Sequence, residues 1–130
     1  MKLFALIALA AITGQVAAGQ VAAAPTLEYD QAKALADKDE AALSSEQGGK
    51  LRDSQQALLA SGTAACATPN PDLSALVVVM ELDGQGKVVR TWLKGNSPLA
   101  ICLRKHAAAQ SLAPPPRAPF YTSIELSFTK

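Results

Sequence analysis

The residues able to do chemistry are few and scattered. The 130-residue chain has one histidine, His106, and two cysteines, Cys66 and Cys102. A histidine acting as a general base needs a nucleophile within reach and a group to orient its ring. Ser111 and Asp83 are present but stand at no recognisable catalytic spacing from His106, so a hydrolase built on this histidine is disfavoured. One histidine and two cysteines are also too few soft ligands for a structural zinc site. Asp37, Asp39 and Glu40 cluster as calcium ligands do, but the glycine and terminal bidentate glutamate of a calcium loop are missing. They read as a solvated helix face. Gly84, Gln85, Gly86 and Lys87 have the look of a phosphate loop, yet Val88 stands where a metal-binding Ser or Thr is required. No catalytic, metal or cofactor-binding constellation is expected, and the protein reads as a non-enzyme.

What remains is surface. Trp92 and Tyr121 sit among polar neighbours in strand-like sequence, and with Arg90 and Arg117 they form the candidate partner surface. Phe120 and Phe128 are assigned to the core, because so few aromatics are available to fill it. The proline-rich residues 114–119 read as a stiff connector rather than as a ligand for an aromatic groove.

The N-terminus reads as an export signal. Lys2 precedes an uncharged apolar run over residues 3–12, too short for the roughly 20 residues that span a bilayer. Small residues then offer cleavage after Ala18 or, preferred, after Ala23. Gly14, Gln15, Gly19 and Gln20 argue against an uncleaved anchor, so no stable membrane anchor is expected after cleavage. Residues 24–130 form one domain, placed in the periplasm or secreted. In such an oxidising compartment the two cysteines pair as a Cys66 to Cys102 disulfide. Without Lys2 the basic and acidic residues balance at 11 each, which gives no reason to expect nucleic acid. Residues 25–72 hold 4 basic and 8 acidic side chains, and residues 73–130 hold 7 and 3. The two halves are expected to complement each other within the fold.

These residues need elements to position them. Composition predicts a helix over residues 27–42, with a thin stripe of Ala32, Leu35, Ala36, Ala42 and Leu43 that packs lightly or frays. Gly48 and Gly49 are expected to break it. A second helix over residues 50–60 presents Leu51, Leu58 and Leu59, with Gly62 as its stop. Strands follow over residues 75–82 and 87–93, joined by a turn at residues 83–86 into a β-hairpin. Ser97 and Pro98 open a third helix reaching Ser111, with Leu99, Cys102, Leu103 and His106 inward. A last strand over residues 120–128 alternates Phe120, Thr122, Ile124, Leu126 and Phe128 on one face. The fold class is α+β, with N-terminal helices and then hairpin, helix and strand forming a small antiparallel sheet packed on helix.

The strand over residues 76–82, the Asp83-Gly84-Gln85-Gly86 turn with Lys87 and Val88, the strand over residues 89–93, and Gly95, Asn96 and Ser97 opening a helix resemble the C-terminal domain of TonB and its AgmX-type relatives. Leu99, Cys102 and Leu103 stand where that family's helix carries core residues, and Pro114 to Pro116 where a proline precedes its last strand. The resemblance covers residues 73–130. It implies a periplasmic ββαβ module that binds partners by strand addition at a sheet edge, with the final strand as the edge. The family's Tyr-Pro motif before the first strand is replaced by Pro69-Asn70-Pro71. Its retained membrane anchor and long proline-rich span are missing. The expectation is a protein-binding module whose partner is another envelope or secreted protein, or else a periplasmic inhibitor or immunity protein against an envelope-degrading enzyme.

Overall fold

A computed structural model describes residues 26–128. The proposed leader and both cleavage sites lie outside the described residues. The elements run α1 (Tyr29–Ala41), α2 (Ser45–Ala65), β1 (Leu76–Leu82), β2 (Val88–Lys94), α3 (Pro98–Ala108) and β3 (Phe120–Leu126). The fold is α+β: the three strands form an open antiparallel sheet in the order β2-β1-β3.

Period-two alternation sorts the sheet residues onto two faces. Leu76, Val78, Met80 and Leu82 of β1 share one face with Phe120 and Ile124 of β3, and α2 and α3 close over them with Leu51, Leu58, Ala100 and Leu103. Val79 and Tyr121 face the other way, against Ala32 and Ala36 of α1. The sheet is thus a middle layer, with α1 on one side and α2 and α3 on the other.

The helix boundaries differ from the sequence expectation for local reasons. The break between α1 and α2 falls at Ala42 and Leu43, because Ser44 and Gln47 form a reciprocal capping box. The Ser44 hydroxyl accepts from the Gln47 N–H and the Gln47 side chain accepts from the Ser44 N–H, both at 3.1 Å. Gly48 and Gly49 therefore lie inside α2 and do not end α1. Gly62 is likewise no stop. It is buried in α2, where an added Cβ would stand 2.8 Å from Leu103 Cδ2 and 3.1 Å from His106 Cδ2. Its role is close approach of α3, and α2 continues to Cys66, bonded to Cys102. The third helix stops at Ala108, short of Ser111, because the following chain turns back to the hairpin. Gln110 C=O accepts from Val88 N–H at 3.1 Å, and Leu112 N–H donates to Gly86 C=O at 2.8 Å. Gly86 takes φ +88°, and any Cβ there would meet Leu112 O at 2.1 Å.

Two packing expectations are corrected. Phe128, assigned to the core, is 40% exposed, since β3 ends at Leu126 and no element covers the residues beyond. The thin stripe of α1 does not leave it fraying: Ala32 and Ala36 are fully buried, and their small size lets the helix backbone approach the sheet closely. Among the described residues no helix is long and apolar enough to cross a membrane.

Candidate interaction surface

The pairing of β1 with β2 sets Arg90 beside Glu81, Trp92 beside Val79 and Lys94 beside Val77, all on the α1 side of the sheet. Tyr121 of β3 lies across from Glu81 on the same side. Sequence reasoning could not bring these residues together, because Tyr121 reaches the cluster only through the order of the strands.

At the centre is Glu81. Its Oε1 accepts from Arg90 Nε at 3.1 Å, from Arg90 Nη2 at 2.7 Å and from the Tyr121 hydroxyl at 2.8 Å. The Arg90 guanidinium carbon stands 5.0 Å from the centre of the Trp92 ring, within cation–π range. Trp92 and Tyr121 lie 6.0 Å apart between ring centres, tilted by 44°. The indole N–H of Trp92 donates to Leu27 C=O at 2.8 Å, which ties the start of α1 to β2. Tyr121 is buried, whereas Arg90 and Trp92 stay partly open. The hydrogen bond to Glu81 raises the Arg90 pKa above its ordinary value, so its charge is held.

Arg117 does not join this stack. It pairs with Asp39 of α1, whose other oxygen accepts from Tyr121 N–H at 2.9 Å. Asp39 and Glu40 were expected on a solvated helix face; instead Asp39 is 5% exposed and Glu40 half-buried. Glu40 Oε1 accepts from Ser123 N–H at 2.9 Å and from the Thr122 hydroxyl at 2.6 Å. Gln55 of α2 adds a bond to Ser123 C=O at 3.2 Å. These contacts spend both Asp39 oxygens and Glu40 Oε1 on N–H and O–H donors and on Arg117.

The same contacts decide which sheet edge is open. Both β2 and β3 are edge strands. On β3 the outward N–H groups are those of Tyr121, Ser123 and Glu125, and α1 takes the first two. Alternation then directs the backbone groups of Leu76, Val78 and Met80 toward β3, and those of Val77, Val79 and Glu81 toward Lys94, Trp92 and Arg90. On β2 this leaves the N–H and C=O of Thr91 and Leu93 facing outward. Among the described residues nothing bonds to them.

The remaining candidates resolve into structure. Asp83 Oδ1 accepts from the N–H groups of Gln85 and Lys87, both at 2.9 Å, and Asp83 C=O accepts from Gly86 N–H at 3.0 Å, so three of the turn's N–H groups close the turn on itself. His106 Nε2 lies 2.8 Å from Ser61 Oγ, a contact that sequence reasoning missed because the two residues sit on different helices. The Ser61 hydroxyl also donates to Leu58 C=O at 3.0 Å. The one hydroxyl proton of Ser61 thus has two acceptors in reach, Leu58 C=O and His106 Nε2, and among the described residues no side chain bonds to the other ring nitrogen of His106 to orient it. Among the described residues no cluster of three or more His, Cys, Asp or Glu is placed to hold a metal. A hollow of about 230 Å³ lies between Leu51, Phe120 and the prolines at 114–116. It holds Lys50 but no carboxylate or histidine to act with it.

Burial, followed by the hydrogen bond to Glu81, pushes the Tyr121 phenol above its usual range, and burial does the same for Tyr29. The folded state thus holds these protons more tightly than the unfolded chain. The resulting stability is full below the ordinary phenol pKa and is lost as pH rises through the raised values. Because the chain has only these two tyrosines, the tyrosinate absorbance of the folded protein is expected to rise at higher pH than that of the chain in denaturant. Coincident titrations would contradict this.

The fold and surface thus define a small disulfide-closed α+β domain with one sheet edge held at Tyr121 and Ser123 by α1 and the other open. No family model, no curated protein and no solved structure matches the chain.

Proposed function

We propose that this chain is an exported, non-enzymatic protein-binding module of the bacterial envelope, its second half built on the plan of the TonB C-terminal domain. The observation that carries the reading is the open edge of β2 bordered by Arg90 and Trp92, a backbone surface of the kind partner proteins use. The disulfide suits an oxidising compartment, the periplasm or the outside of the cell. In the TonB resemblance the final strand receives the partner. Here α1 occupies that edge, which favours β2 instead.

An inhibitor or immunity protein is the rival reading, favoured by the lack of acidic residues along β2 and α3. Glycan-cleaving enzymes commonly hold paired carboxylates in their clefts, and a cationic face is complementary to them. A photo-crosslinking side chain at Val89 or Lys94, both exposed, separates the readings in intact cells. The expected result is an envelope or secreted protein joined from both positions and not from Gln56 on α2. An assembly or transport component supports the module, and a lytic enzyme supports the inhibitor. No adduct, or the same adducts from Gln56, overturns both.

A further inference from the structure

The stretch of chain that carries the open edge has one sign of charge. Residues 84–124 include no Asp or Glu, yet hold Lys87, Arg90, Lys94, Arg104, Lys105 and Arg117. Arg90 and Arg117 are neutralised by Glu81 and Asp39. Lys87 and Lys94, at the two ends of β2, have no ion pair among the described residues, nor do Arg104 and Lys105 on α3, which packs against β2. The open edge is also short. Val88 N–H is already bonded to Gln110, and Gly95, at φ +128°, turns the chain away after Lys94.

We infer that the outer edge of β2 accepts a short, extended, acidic segment of a partner protein, hydrogen-bonded to the N–H and C=O groups of Thr91 and Leu93. This deepens the protein-binding reading above, on which it rests, by naming the edge and the chemistry of the segment. Each outward residue offers one donor and one acceptor, and carboxylates on the added strand meet Lys94 and Lys87. A second copy of the chain fits poorly. Antiparallel self-pairing that used both Thr91 and Leu93 would set Lys94 of each copy opposite Arg90 of the other, whose carboxylate partner Glu81 is already engaged, so Lys94 would gain no acidic partner.

Hydrogen exchange at the Thr91 and Leu93 amides tests this, with ¹⁵N-labelled protein and two synthetic peptides, one alternating Glu with Val and the other Lys with Val. The Glu–Val peptide is expected to slow both amides by about tenfold or more at saturation, and the Lys–Val peptide to leave them unchanged. Thr91→Pro removes an outward N–H while sparing the β1-facing groups of Arg90 and Trp92, a position where an edge strand accepts proline. It should weaken binding of the Glu–Val peptide by about tenfold. Lys94→Glu, an exposed change that leaves the backbone intact, should weaken it several-fold, and added salt should do likewise.

Equal responses to the two peptides, or no change at Thr91 and Leu93 with either, overturn the proposal. So does protection already present without peptide, which would mean that the chain covers its own edge. Protection that grows with protein concentration alone would assign the edge to a second copy. If crosslinking from Val89 and Lys94 captures a partner that leaves these amides unprotected, strand addition fails while the protein-binding reading stands.

Discussion

Replacing Cys66 and Cys102 together by serine is expected to lower stability by about 4 kcal/mol and the melting temperature by at least about 15 °C. The bond spans a sequence separation of 36 residues, and closing a loop of that length removes much of the freedom of the unfolded chain. For a domain of this size that is a large share of the total. The effect should also be local. Cys66 caps the end of α2 and Cys102 lies on α3, so the bond joins two helices on the same face of the sheet. On reduction, amide exchange should accelerate most in the last turns of α2, and least in β1 and β2, which are held by their own ladder. The α1 helix should respond little, since its contacts lie on the opposite face. Uniform acceleration would show that the bond acts only through the unfolded state.

The second large effect is expected at Asp39. Asp39→Ala should cost about 3 kcal/mol in urea unfolding, because it leaves the buried Tyr121 N–H without an acceptor and removes a charge-assisted bond. Arg117→Ala should cost less than about 1 kcal/mol, since that side chain is half exposed and its loss leaves Asp39 still bonded to the backbone. Asp39→Asn, which keeps an acceptor oxygen, should fall between them. Freed of Asp39, the outer edge of β3 opens at Tyr121 while Glu40 still holds Ser123 N–H, and sedimentation should detect self-association absent from the wild type. If Asp39→Ala costs no more than Arg117→Ala, the carboxylate is only an ion-pair partner and does not seal the edge.

Much of the molecule was legible locally. The Asp83 to Gly86 turn, the Ser97 cap with Pro98 behind it, and the alternation from Phe120 to Leu126 all act within a few residues, where side-chain type dictates backbone geometry. The Ser44 and Gln47 capping box is equally local, but the nearby glycines are the stronger signal along the chain and point to a break in its place. A reciprocal cap with Leu51 buried one turn later holds a helix through Gly48 and Gly49 that propensity alone would break.

The roles of α1 and of the partner-surface residues were not legible in this way. Asp39 and Glu40 look like solvent-facing charges, because their partners, Tyr121 and Ser123, lie 82 and 83 residues away. Arg90 and Trp92 looked like exposed strand residues, and nothing in their neighbourhood announced Glu81 or Tyr121 as the groups that order them. His106 gained Ser61 only because α2 runs on past Gly62 to cross α3.

The amino-acid sequence by itself determined the order of elements, the disulfide and the faces of each strand, because all three follow from residue type and period. It did not determine which edge of the sheet is closed. Every residue but proline carries the same N–H and C=O, so an open edge and a sealed one read alike along the chain. Only the tertiary structure decided that β1 lies between β2 and β3, and that α1 lays two carboxylates along β3 while the outward groups of Thr91 and Leu93 on β2 stay free.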